Sequence, residues 1–275
     1  MTAEGIAARM GRSRAITFHL TVEDCVDSTN DRLKQWATMG APQGTVLLAR
    51  EQRAGRGTHG RSFVSPRGEG LYLSLLLRPT VSAAQLFSLT GWVAVAVRRA
   101  VVGCCGAEVH IKWMNDLYLH GRKLCGILTE LSPIGPGGQV DWVVVGIGLN
   151  LSQSRETFQR LGLGHIATSL AAEGYQVEGA VLAARVLEEL DGLWADFPRE
   201  EARWLEEYRG GCLQIGRPVY FETGSGWMTG VARRVADDFS LEVEGVDGHL
   251  HRICAGTVRL TPPEQEDGRD TYGQH

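Results

Sequence analysis

"AGRGTHGRSFVSPRGEGLYLSLLL", residues 54–77, opens as a dinucleotide-binding fingerprint and then departs from it. Gly55, Gly57 and Gly60 have the Gly-x-Gly-x-x-Gly spacing. In a phosphate-binding βαβ unit that spacing follows a strand and opens a helix, whose first N–H groups hold the pyrophosphate. The strand is there in the pattern: TVLLARE (45–51) is apolar and rich in β formers. The helix is not. Pro66, Gly68 and Gly70 interrupt the next stretch, and a second strand is predicted over 71–77. A Rossmann unit is therefore rejected. A kinase glycine loop fails too, because Ser62 stands at its valine position and no Val-Ala-Ile-Lys stretch follows. What remains is strand–loop–strand, with Arg53, Arg56, His59, Arg61 and Arg67 on the loop. On this stretch alone, a solvated surface loop and an anion-binding loop both stay open.

The chain around it has 275 residues, enough for one large domain and a small one. Its 43% hydrophobic and 22% charged content is that of a soluble globular protein. The net charge of −4 argues against non-specific nucleic-acid binding and makes the basic loop a local feature. Six cysteines lack Cys-x-x-Cys or zinc-type spacing, and the polar start MTAEGIAARMGRSR is no secretory signal. They read as reduced, mostly buried thiols of a cytoplasmic protein. No uninterrupted apolar run crosses a membrane; residues 92–105 come closest, but Arg98 and Arg99 interrupt them. No residue is assigned as a metal ligand.

Strands are predicted over 16–26, 108–113, 117–119, 122–131 and 140–149. A buried helix is predicted over 82–103 with Ser82 as its cap, and another over 177–197, with Pro198 restarting a second piece. Residues 212–261 are short strands punctuated by glycine, the texture of a small β-barrel module. The expected division is a catalytic domain over 16–210 and a barrel over 211–262. Residues 1–15 and 263–275 are expected as disordered tails.

Three stretches carry chemistry. In IKWMNDLYLHGRKLCGILTEL (111–131), His120-Gly121 fits a two-residue hairpin turn with Gly121 at positive φ. Leu119 then faces Arg122, Tyr118 faces Lys123 and Asp116 faces Cys125, and Asp116, Tyr118, Lys123 and Cys125 share one side. A lysine aimed into a partly apolar interior needs an anion, although a structural Asp116–Lys123 pair is the commoner arrangement. VVVGIGLNL (143–151) ends in Gly146-x-Gly148-x-Asn150, either a tightly packed strand end or a backbone that a ligand approaches closely. DSTN (27–30) is either a helix cap or a set of hydroxyls for a polar ligand.

In order along the chain, DSTN, GRGxxGR, SPxGxGLYLSLLLRP, KWxNDLY, RKLCGILTE and GIGLN resemble the biotin–protein ligases, over roughly residues 16–261. The resemblance implies an α+β fold. Its core is a mixed, largely antiparallel sheet with flanking helices, like that of class II aminoacyl-tRNA synthetases, followed by a C-terminal SH3-like β-barrel. Fewer than thirty residues precede DSTN, too few for the helix-turn-helix domain of the family's regulatory members, so a monofunctional ligase is expected. The implied reaction uses ATP and Mg2+ to form biotinyl-5′-AMP. It then transfers biotin to a lysine of the biotin carboxyl carrier protein or domain of acetyl-CoA carboxylase or a related carboxylase. Neither nucleic acid nor membrane is an expected partner, and the protein is expected as a monomer or homodimer.

Roles follow by position. Lys123, Arg56 and Asp116 are the implied catalytic residues, with Asp116 orienting Lys123, binding magnesium or polarising the incoming amine. Biotin is assigned to Ser28, Thr29, Asn30 and Gln52, to the loop residues Gly55, Arg56, Gly57 and Thr58, and to Lys123, Gly126 and Gly146. Gly148 joins Gly126 and Gly146 in keeping the pocket wall thin. ATP is assigned to Arg61, Phe63, Asn115 and Asn150. Three positions depart from the family. Met114 replaces a proline and loosens the expected hold on Asn115. Thr58 lacks a guanidinium, and Phe63 replaces a tryptophan. Arg259 lies near the family's nucleotide-reaching arginine but not on it, and gets no role. Two other readings are a lipoate or other acyl-adenylate ligase and a non-catalytic biotin sensor or DNA-binding regulator. Gln52 and the GRGxxGR loop favour biotin over the first. The acidic charge and missing helix-turn-helix disfavour the second.

Overall fold

The computed structural model describes residues 1–262 except Ser225. The elements run α1 (Ala3–Ala7), β1 (His19–Glu23), α2 (Thr29–Thr38), β2 (Thr45–Ala49), β3 (Gly70–Leu77) and α3 (Leu89–Cys105). Next come β4 (Val109–Lys112), β5 (Asp116–Leu119), β6 (Arg122–Leu131), β7 (Val143–Asn150), α4 (Arg155–Arg160), α5 (Gly179–Asp196) and α6 (Glu201–Gly211). The chain closes with β8 (Pro218–Thr223), β9 (Gly226–Val235), β10 (Leu241–Gly245), β11 (Leu250–Ile253) and β12 (Val258–Arg259).

Seven strands form one sheet in the order β1-β2-β3-β7-β6-β5-β4, with β1–β2 its parallel pair and every other pair antiparallel. This is the mixed, largely antiparallel α+β core expected. No helix follows Gly60; a single 3-10 turn (Thr58–Gly60) precedes the run into β3. Alternation sorts the sheet's two faces. Leu71, Leu73, Leu75, Val143 and Val145 belong to the large core with α3 and α5. Leu47, Leu76, Trp142 and Val144 pack with Leu33 and Ala37 of α2. The helix of 82–103 starts later than expected, at Leu89, after a 3-10 turn (Gln85–Ser88); Ser82 bonds Gln85 and does not cap it. The span Gln85–Cys105 is apolar and long enough to cross a membrane by composition, but about two thirds of it is buried in this fold.

The last five strands form a second antiparallel sheet in the order β11-β10-β9-β8-β12. It shares a continuous core with the first. Trp113 donates from its indole Nε1 to Phe239 O (2.8 Å) and from its backbone to Gln214 Oε1 (2.6 Å), and Tyr208 meets Phe239 edge to face.

Two expectations are corrected. Residues 1–15 are not a disordered tail. Thr2 caps α1, Ile6 is fully buried, and the Asp191 carboxylate accepts the N–H groups of Arg14, Ala15 and Ile16 at 2.6–2.9 Å. The apolar pair Ile6 and Ile16, set in a polar stretch, was the overlooked signal. The cysteines are all free, but only Cys125 is fully buried, and Cys254 is exposed. The tail expected over 263–275 lies outside the described residues.

Candidate active site

The β5–β6 hairpin turns at His120 (φ 49°) and Gly121 (φ 76°), both left-handed as a tight hairpin of this length requires. Leu119 pairs Arg122 and Tyr118 pairs Lys123, as expected. Beyond them the register shifts, so Asp116 opposes Gly126, not Cys125, which pairs with Leu117. A bulge is the cause: Leu124 is an extra residue on β6, and both Leu124 and Cys125 turn into the core. Cys125 therefore does not share the side of Lys123, and burial pushes its thiol well above the ordinary range. Lys123 and Asp116 still meet, Nζ to Oδ1 at 2.7 Å, without satisfying hydrogen-bond angles. Gly126 leaves room for the pair, because a Cβ there would lie 3.1 Å from Lys123 Cε and 3.2 Å from its Nζ.

One cleft takes in Lys123, Asp116, Asn115 and Gly126 from this hairpin, and Arg56, Gly57, Thr58 and Phe63 from the glycine loop. Ser28, Thr29, Asn30 and Gln52 complete its polar lining. DSTN proves to be both cap and lining. Ser28 Oγ accepts from Asp31 N at the start of α2, and Thr29 donates from N and Oγ1 to Gln52 Oε1 at 2.9 and 3.0 Å. Ser74 Oγ donates to Asn30 Oδ1 (2.6 Å), and Gln52 Nε2 to Ser65 Oγ (2.9 Å). These bonds fix the neutral donors and acceptors before any ligand arrives. The glycines of β7 make room for the same side chains. A Cβ at Gly146 would fall 2.1 Å from Asn30 Oδ1, and one at Gly148 2.7 Å from the Phe63 ring.

Arg56 is held at the mouth by a charge cluster. Its Nη1 donates to Asp31 Oδ1 at 2.6 Å; Lys34 Nζ reaches the same oxygen at 2.8 Å and Glu130 Oε1 at 2.7 Å. Burial works to raise the Asp31 carboxyl, but hydrogen bonds from Lys34 and Arg56 outweigh it and hold the group below the usual range. The hydrogen bond to Asp31 likewise raises Arg56.

Asn115 is firmly held despite Met114: its Nδ2 donates to Ile127 O (2.8 Å), and Ile127 N donates to Asn115 O (2.9 Å). Three assigned residues do not line the cleft. Asn150 is buried, donating to Thr168 O (2.9 Å) and accepting from Gln153 (3.1 Å). The resemblance assigns it to ATP on an amide that offers both donor and acceptor; here the following loop takes up both. Arg61 folds back on Thr58, and Gly55 packs under Phe63 O. Leu128 lines the cleft and Ser74, Asp31, Lys34 and Glu130 hold its side chains in place, none of them among the residues the sequence predicts. Ser74 carried a signal, as one hydroxyl inside the apolar run GLYLSLLL. Leu128 follows Gly126 by two and so shares its side of β6.

The biotin/lipoate A/B protein ligase family model matches residues 22–150, which contain every residue lining the cleft. The chain belongs to this family. The bifunctional ligase/repressor BirA of Bacillus spizizenii is 33% identical over 248 residues, spanning 88% of this chain and 74% of its own length. The biotin–[acetyl-CoA-carboxylase] ligase of Paracoccus denitrificans is 35% identical over 237 residues, covering 81% of this chain and 92% of that one. Among solved structures, the biotin protein ligase of Aquifex aeolicus in complex with biotin and ATP superposes with a TM-score of 0.73 at 27% identity, covering 88% and 99% of the two chains.

Proposed function

We propose that the protein is an ATP-dependent biotin–protein ligase. It forms biotinyl-5′-AMP and then transfers biotin to a lysine of a carrier domain of acetyl-CoA carboxylase or a related carboxylase. The observation that carries this is the joining of two unlike chemistries in one cleft: a preset neutral hydrogen-bonding group at Thr29 and Gln52, and two cations, Lys123 and Arg56. A neutral ureido head and a carboxylate on one small ligand match that pair. The relatives named for acetyl-CoA carboxylase and the biotin and ATP complex of the Aquifex aeolicus enzyme support the reading.

Attack of a carboxylate on the α-phosphate of ATP brings two anions together, so positive charge must act on both. Lys123 is the cation for that task, kept aimed by Asp116, and Arg56 adds a second once it leaves Asp31. Bound Mg2+ would screen the triphosphate, and the Asp116 carboxylate and Asn115 amide oxygen are the donors the cleft offers it. In the second step the acceptor amine attacks the mixed anhydride carbonyl, its C–O bond to phosphate breaks, and AMP leaves. No enzyme nucleophile is needed, so positioning and electrostatics carry the rate. Residues through 210 form the catalytic unit, and 211–262 an SH3-like module. Purified protein incubated with ATP, magnesium and labelled biotin should yield labelled adenylate and pass the label to a carrier lysine. Release of pyrophosphate with lipoate but not with biotin would overturn the assignment.

A further inference from the structure

Lys123 sits where its sheet runs out. The β6–β7 ladder begins at Cys125, and the bulge at Leu124 separates Lys123 from it. Its outward backbone groups are instead taken by a segment more than forty residues further on. Lys123 N donates to Ile166 O (2.8 Å) and Thr168 N donates to Lys123 O (2.9 Å), with Ala167 forming a parallel bridge to Lys123. That strap is anchored twice: Asn150 donates to Thr168 O, and the Thr168 hydroxyl donates to Glu173. The Glu173 carboxylate also accepts from Arg122 Nη2 (2.5 Å) and meets His120 Nδ1 (2.7 Å), both at the hairpin tip, with Arg155 at 3.8 Å. Its side chain is only 4% exposed. One buried carboxylate thus ties the tip of the hairpin to the strap that flanks Lys123.

The geometry points to Glu173 as a positioning residue that sets where the Lys123 ammonium stands in the cleft. This rests on the proposed adenylating role of Lys123. Glu173 does not touch the cleft, so its effect on the reaction runs through the hairpin. Arg122 and Lys123 are neighbours on β6, and the bulge at Leu124 interrupts the ladder between them and the rest of that strand. Positional error of about an ångström in such a group costs up to about a hundredfold in rate.

Glu173→Gln keeps the side chain's size and removes the charge that gathers Arg122, His120 and Arg155. It should lower kcat for adenylate formation about tenfold. KM for biotin should stay within about twofold, because the neutral head is held by Thr29 and Gln52 on other elements. The deciding measurement is a double-mutant cycle with Lys123→Ala. If Glu173 acts through Lys123, the double variant is no slower than Lys123→Ala alone; multiplied losses would overturn the inference. Should Glu173→Gln fail to fold, Thr168→Val cuts the strap from Glu173 while leaving its ion pairs, and the same cycle applies. Amide exchange at Lys123 should also quicken in Thr168→Val, and unchanged exchange there counts against the strap. Wild-type protein that makes no adenylate removes the ligase reading and this inference together. An active wild type with a multiplicative cycle removes this inference alone.

Discussion

At the scale of single residues, Lys123 is the cation that stands in the cleft beside Asp116. The tight turn at His120-Gly121 brings the two together, although the bulge at Leu124 shifts their strand neighbours by one position. Lys123→Ala should slow adenylate formation about a hundredfold, the effect of losing a contact worth about 3 kcal/mol to a developing charge. Near-normal adenylation by a folded variant would end that role. Gly126→Ala is a gentler probe. Its Cβ would press on Lys123 at 3.1 Å, so adenylation should drop about tenfold while Tm barely moves. Thr58 lines the cleft where a guanidinium would add a charge-assisted bond. Such a bond is worth about 1.5–3 kcal/mol. Thr58→Arg should therefore slow adenylate dissociation about ten- to a hundredfold. Indistinguishable dissociation rates at pH 8 would mean that the side chain at 58 faces away from the ligand. Asn150 marks what one sequence cannot convey: its partners Thr168 and Gln153 are fixed by a loop with no periodicity to read.

At the scale of elements, the glycine loop is a tongue with a pinned base and a lightly held tip. Main-chain bonds from Phe63 N to Gly55 O (2.8 Å) and Gly57 N to Arg61 O (2.7 Å) close its sides, and the Arg56–Asp31 pair fastens it to α2. That pair is half exposed and worth under about 1 kcal/mol, so it restrains the loop without locking it. Asp31→Asn should speed amide exchange at 57–60 a few-fold in ligand-free protein, and biotin plus ATP should abolish the difference. Equal protection of this loop with and without ligands would argue against closure. Strands and long helices were legible because alternation and helical spacing report directly on burial. The bulge at Leu124, the α1 segment and the charge cluster were not. Arg56 and Asp31 lie 25 positions apart, and Lys34 and Glu130 lie 96 apart. No local pattern encodes such pairings.

At the scale of the whole molecule, a carboxylate that ties two helices together should govern part of the response to acid. Glu207 of α6 is held below its ordinary value of 4.5, first by its hydrogen bond from Arg99 of α3, against the pull of burial. Arg99 also lies over the Trp204 ring at 4.2 Å, and Trp204 stacks on Trp92 in the core. A carboxyl lowered on folding stabilises fully above its unfolded value and loses that contribution as pH falls through its lowered folded value. Tm should therefore decline from about pH 4.5 downward, and Glu207→Gln should flatten that decline while costing stability at neutral pH. An unchanged acid limb in the variant would mean that other groups set it. The seam between the two sheets has a consequence for building hybrids. The segment that leads into Asn115 is fastened by Gln214 and by the carbonyl of Phe239, a residue in the left-handed region at φ 63°. A chimera that grafts a relative's final strands onto residues 1–210 must bring an acceptor at 214 and the same turn at 239. Without them the transplant disturbs the chemistry of the cleft, however well each half folds.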